Sequence, residues 1–209
     1  MIKEYNTIKN EISARIEEKK SVFIANIKGV SCEEEAKEFI SEISKKHNDA
    51  RHNVPVYRVL HEHKIVESFS DNGEPKGSAG MPILDILRGR NIVNICVVVT
   101  RYFGGTLLGT GGLLRAYSDV TREVITQCEL INKKVYDKYQ LSCEYSDLEK
   151  IKYKFSQSNI KYENIVYTDK INMDVFLGTN DSAQNISKIL NEEINNNFEL
   201  NISDKKIYK

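Results

Sequence analysis

No stretch of the 209-residue chain stays apolar long enough to cross a bilayer: the longest run, Ile95 to Val99, falls far short of the ~20 residues a spanning helix needs. The first residues, Met1-Ile2-Lys3-Glu4-Tyr5, lack the apolar core of a secretory leader. Net charge is missing as well. Lys+Arg and Asp+Glu are 30 each, so attraction to nucleic acid has to come from a local patch and not from the molecule as a whole. The 4 cysteines, Cys32, Cys96, Cys128 and Cys143, form no C-x-x-C pair, which speaks against a zinc site or a disulfide frame and for free thiols in a reducing cytoplasm. Membrane partners are not expected, and with 3 prolines the chain has few enforced breaks.

What is present suits a folded chain. Hydrophobic residues are 40% and charged residues 29%, with 11 Tyr and 7 Phe, enough to bury a core in either half. The length predicts two domains. Apolar and polar residues alternate over Ile8 to Ile16 and over Ser21 to Ile27, with Glu17-Glu18-Lys19-Lys20 between them, which predicts a hairpin. Ser31 and Glu34 have capping-box spacing ahead of Ala36, Phe39, Ile40 and Ile43, so a helix is expected to about Lys46. Strands over Val54 to His61 and Lys64 to Phe69 lead into a turn-rich stretch. Pro82 then suits the first position of a helix carrying Ile83, Leu84, Ile86 and Leu87, which Gly89 stops. Ile92 to Thr100 is nearly continuous and β-branched, the pattern of a central strand covered on both faces. An amphipathic helix is expected from Leu113 to about Cys128.

After Asn132-Lys133-Lys134 the pattern restarts. Strand Tyr136 to Tyr145, helix Asp147 to Gln157, strands Lys161 to Thr168 and Ile171 to Leu177, helix Ser182 to Asn195 and strand Phe198 to Ser203 follow in order. This β-α-β-β-α-β succession predicts a ferredoxin-like domain. The fold class is therefore α+β, with domains over residues 1–132 and 136–209.

The most specific local feature is the segment from Arg101, Tyr102 and Phe103 through Gly104, Gly105, Gly109, Gly111 and Gly112, between the buried strand and the helix. Bare amides at a helix start, with the positive end of its dipole, accept anions. Thr110 stands where a Walker A loop needs lysine, and Leu114 where the dinucleotide fingerprint needs its third glycine, so neither ATP nor NAD is implied and no cofactor is expected. Arg101 and Arg115 can flank a phosphate. The competing reading has the glycines packing strand on helix and the arginines paired with carboxylates. In the second glycine-rich segment, Lys76, Gly77, Ser78 and Gly80 extend the anion-accepting surface, whereas Asp71 and Glu74 supply too few oxygens for a metal. His61 and His63 share a strand face without a third ligand, so no metal is assigned. His52, at a strand entrance, can contact a ligand. Ser78, Ser118 and the cysteines lack a nucleophile's setting, so no catalytic residue is assigned.

Three stretches together resemble the signature of the IMPACT/YigZ family. They are Asp49-Ala50-Arg51-His52-Asn53, then Asp71-Asn72-Gly73-Glu74-Pro75-Lys76-Gly77-Ser78-Ala79-Gly80-Met81-Pro82-Ile83-Leu84, then Thr100 to Ser118. The sequence departs from that signature at Asn72, where a second Asp is common, and at Val54-Pro55-Val56, where an aromatic-containing stretch is usual. The resemblance implies a first domain of the left-handed βαβ type shared by a small-subunit ribosomal protein and domain IV of elongation factor G. A domain like that factor's domain V would follow. It also implies a translation-linked binding protein. With the residues above, that means engagement of RNA or the ribosome, Arg88 and Arg90 adding phosphate contacts and Tyr102 and Phe103 stacking on bases. Two alternatives are a protein-protein adaptor in translational control, with Tyr102 and Phe103 as anchors, and an enzyme acting on a phosphorylated small molecule.

Overall fold

Residues 95–100 are wholly buried, and a strand with both faces buried needs a layer of structure on each side. In the computed structural model, which describes residues 2–178, 187–191 and 198–209, the chain divides into two units, Met1–Asn132 and Lys133–Lys209. The first unit contains strands β1 (Glu4–Ile8), β2 (Ile12–Glu18), β3 (Ser21–Gly29), β4 (His52–His61), β5 (Lys64–Phe69) and β6 (Ile95–Tyr102). Its helices are α1 (Glu33–Lys46), α2 (Gly80–Gly89) and α3 (Gly109–Thr126). Its sheet has the order β2-β3-β6-β4-β5 with every pair antiparallel, so β6 is central. It follows that β3 and β4 run parallel on either side of β6 and are joined by α1. In the same way β5 and β6 flank β4 and are joined by α2.

The period of two along β6 sorts its side chains between two layers. Ile95, Val97 and Val99 enter a core with Ile83, Leu84 and Leu87 of α2 and with Val120 and Val124 of α3. Cys96 and Val98 enter another with Ala36, Phe39 and Ile43 of α1. Burial pushes the Cys96 thiol up to about 12, so it packs as a small hydrophobe and not as a nucleophile.

Local differences from the sequence-based expectations have identifiable causes. The β2–β3 hairpin closes through Lys19 and Lys20, both left-handed (φ 47 and 65), a two-residue turn built without the usual Asn-Gly. Helix α1 starts after Cys32 and not after Ser31. The reciprocal contact falls one residue late, the Ser31 amide donating to Glu35 Oε2 at 2.7 Å, and those bonds hold the Glu35 carboxyl below its ordinary range. Helix α2 begins at Gly80, ahead of Pro82, and α3 begins at Gly109, inside the glycine run.

The chain enters the second unit within β7 (Leu130–Cys143), and α4 (Leu148–Gln157), β8 (Lys161–Tyr167), β9 (Ile171–Gly178) and β10 (Phe198–Tyr208) follow. The antiparallel order β10-β7-β9-β8 is the ferredoxin-like one. Leu141, Met173, Val175 and Leu177 pack on Ile151 and Phe155 of α4. Residues 187–191 are helical, and the rest of the helix expected over Ser182 to Asn195 lies outside the described residues. The architecture is α+β, and none of the described helices is long and apolar enough to cross a membrane.

Arg58 crosses the first unit's core as a polar tie. From β4 its Nε donates to Glu67 Oε1 (2.7 Å), and its Nη1 donates to the Leu87 and Ile92 carbonyls (3.0 and 2.7 Å), where α2 ends. Hydrogen bonds from Arg88, followed by those from Arg58, hold the Glu67 carboxyl below its ordinary value. A carboxyl depressed on folding adds stability above its unfolded pKa and loses it as pH falls. The cost of Glu67→Gln in urea denaturation is therefore expected to be full at neutral pH and to shrink between about pH 5 and pH 3. A cost that does not vary with pH would contradict this reading.

Candidate functional site

The alternation that buries Val97 and Val99 carries Arg101 to the same face of β6, beneath α3, with its side chain 6% exposed. A guanidinium there needs a carboxylate. Glu74 supplies it: Arg101 Nη1 donates to Oε1 at 2.8 Å and to Oε2 at 3.1 Å. The Tyr117 hydroxyl donates to Glu74 Oε1 at 2.8 Å, and burial, reinforced by the Glu74 charge, pushes that phenol far up so that it remains a donor. Across the sheet Arg101 pairs in register with Phe23 on one side and His52 on the other. His52 Nδ1 donates to the Asn72 carbonyl (2.7 Å), which leaves Nε2 facing Glu74 Oε1 at 3.9 Å, beyond hydrogen-bond range. The Phe23 and Phe103 ring centroids lie 5.4 and 5.5 Å from Arg101 Cζ. Arg101 Nη2 reaches Ser21 Oγ at 3.4 Å, whereas its buried Nε has no partner.

The turn that delivers Glu74 is organised by Asp71. Its carboxylate accepts the amides of Gly77 (2.7 Å), Ala79 (3.1 Å) and Gly80 (2.9 Å). The anion at the start of α2 is thus an internal one, and it explains why α2 begins before Pro82. Ser78 Oγ is engaged as well, donating to the Pro75 carbonyl at 2.6 Å. Two glycines answer to packing. A Cβ on Gly80 would come within 2.8 Å of Phe69 Cδ2, and one on Gly104 within 2.0 Å of the Lys20 backbone. Gly105 and Gly109 answer to conformation, with φ of +80 and +70.

Above the Arg101–Glu74 pair lies a cleft of about 420 Å³. Three segments line it: Arg51 with His52; Gly73, Glu74 and Pro75; and Arg101, Phe103 and residues 107–110 with Leu113. The two glycine-rich segments therefore meet at one concavity. Of the residues singled out from sequence, His52, Arg101, Phe103 and Gly109 line it. Gly104 and Gly105 belong to the same loop, and Gly111, Gly112 and Arg115 continue the first turns of α3. Lys76 and Gly77 are exposed on the neighbouring turn and do not line it, and the amides of Gly77 and Gly80 are already filled. Tyr102 faces the other layer, its hydroxyl donating to Asp49 Oδ1 (2.9 Å) and meeting His47 Nδ1 (2.9 Å), so it does not share the cleft with Phe103. Arg88 is paired with Glu67 and Asp85, and Arg90 is exposed just beyond α2. His61 and His63 are exposed, and among the described residues no three metal-ligating side chains converge.

Sequence reasoning missed Arg51, Tyr117 and the apolar wall formed by Leu107, Leu108 and Leu113, and it did not pair Glu74 with Arg101. One signal was available. An arginine continuing the buried register of Val97 and Val99 requires an acid, and Glu74 lies in the nearest acidic turn. Removing either partner of a buried pair costs about 3–5 kcal/mol. Arg101→Met and Glu74→Leu are each expected to destabilise by that order, and together by clearly less than their sum, as read from urea melts. Strict additivity would show that the two groups do not interact.

A family model described as the Impact N-terminal domain matches residues 19–125, and one described as a domain of unknown function matches residues 141–191. The chain is 36% identical over 177 residues to the IMPACT family member YvyE of Bacillus subtilis (strain 168), covering 85% of this chain and 81% of that one. It is 37% identical over 150 residues to the IMPACT family member YigZ of Escherichia coli (strain K12), covering 71% and 74%. A crystal structure described as a hypothetical protein matches with a TM-score of 0.63 at 31% identity, over 98% of this chain and 99% of the other.

Proposed function

The chain belongs to the IMPACT family, and from that premise we propose that it is a translation-linked binding protein whose first unit engages the phosphates of RNA, free or on the ribosome, around the cleft. The observation that carries this reading is a set of unspent cations. Arg51 on the cleft, Lys76 on the Asp71 turn, Arg115 on α3 and Lys20 at the hairpin tip packed on Gly104 are all exposed. Among the described residues none of the four has a carboxylate partner. Arg101 is not in this set, because its charge is matched by Glu74.

Backbone geometry supports the reading further. No side chain caps α3 and no acid lies in its first turn, so the positive end of its dipole is uncompensated. Phe103, 46% exposed beside these groups, offers a face on which a base can stack. Specificity would then come from the shape of the cleft, and affinity from a few phosphate contacts.

A second reading has a specific observation behind it. Leu107, 83% exposed, lines the cleft with Phe103, 46% exposed, an apolar pairing that suits a protein partner. Salt dependence separates the two. For a single-stranded RNA, log affinity is expected to fall against log salt with a slope of about 0.7 per phosphate neutralised. Arg51→Glu, Lys76→Glu and Arg115→Glu are each expected to weaken binding and to lower that slope by about 0.7, as read by fluorescence anisotropy. A folded protein that binds neither RNA nor ribosomes at low salt would rule the RNA reading out.

A further inference from the structure

We propose that the cleft seats one nucleoside phosphate, with the phosphate on the first-turn amides of α3 and the base against the apolar wall, so that a strand end or a single unpaired nucleotide is held inside it. This deepens the RNA reading and rests on it. A concavity of about 420 Å³ falls in the range of small-molecule sites, about 300–1,000 Å³, and suits one nucleotide better than a continuous strand.

Four observations assign the parts. Gly109 and Thr110 open α3 and border the cleft, and a Cβ placed on Gly109 or Gly111 would meet nothing within 4 Å, so a phosphate oxygen has room to approach their backbone. Arg101 borders the same cleft with a side chain 6% exposed, its Nη1 on Glu74, its Nη2 3.4 Å from Ser21 Oγ and its buried Nε without a partner. Phe103, Leu107, Leu108 and Leu113 give the cleft an apolar side suited to a flat ring. Arg51 supplies the net positive charge that the balanced Arg101–Glu74 pair does not.

This division of labour predicts that neither half of the ligand suffices alone. The test uses the full chain, with thermal shift and calorimetry against the four nucleoside 5′-monophosphates at about 1 mM. Ribose 5-phosphate, inorganic phosphate and the free nucleosides serve as separate arms. At least one monophosphate is expected to raise the Tm and to bind at least tenfold more tightly than phosphate or its own nucleoside. Gly111→Glu introduces an acid at the helix start without a clash and should weaken nucleotide binding at least tenfold. Phe103→Ser should weaken the nucleotide and leave inorganic phosphate unchanged. No shift with any monophosphate, or unaltered binding by Gly111→Glu, overturns the proposal. Single-stranded RNA is titrated in parallel. Salt-dependent RNA binding that survives in Gly111→Glu while mononucleotides are inert removes the cleft site and leaves the surface reading standing; loss of RNA binding by the wild type as well removes both.

Discussion

A charged group at the end of a fully buried strand is the constraint from which the first unit's geometry follows. Arg101 continues the face of β6 that carries Val97 and Val99, and its guanidinium is stable there only with an acid in contact. Glu74 must therefore be brought across from the turn before α2, and Tyr117 must point down from α3 to complete its hydrogen bonding. Three elements distant in sequence converge on one carboxylate. The cleft is the space left above that convergence.

The first turns of α2 and α3 sit close to this point and are treated differently. Asp71 fills the amides of α2 from within the chain, so that helix has its anion already. Helix α3 opens on glycines and has none from a side chain. The same chemistry holds the Glu74 turn in one place and, under the proposed assignment, would hold a ligand's phosphate in the other. The negative charge of Asp71 is used structurally, on the amides of its own turn.

Much of this was legible in the sequence. The β-branched run became the central strand, and the β4–β5 hairpin and the second unit's order followed from period and turn residues; the second glycine-rich segment reaches the cleft through Gly73, Glu74 and Pro75 and not through Lys76 to Gly80. Partner choice was not legible. Whether Arg101 meets a phosphate or a carboxylate depends on a contact 27 residues away in sequence, and no local pattern encodes that distance. The alternation of β6 did imply that Tyr102 and Arg101 face opposite layers, so their treatment as one surface in sequence reasoning had a visible contradiction. Helix starts were misjudged where the cap came from outside the helix: Asp71 lies eight and nine residues before the amides of Ala79 and Gly80 that it accepts, beyond the window in which capping signals are read.

Hairpin tips are ordinarily where a chain accommodates extra residues. The β2–β3 tip does not have that latitude, because the Gly104 backbone rests directly on Lys20 and its amide is received by Ser21 Oγ at 3.1 Å. Lengthening the tip would displace the loop that borders the cleft, so an insertion in this surface turn is expected to be felt at the site. A natural or engineered variant with a longer turn there would have to reshape residues 103–108 at the same time, and the two segments are expected to change length together or not at all.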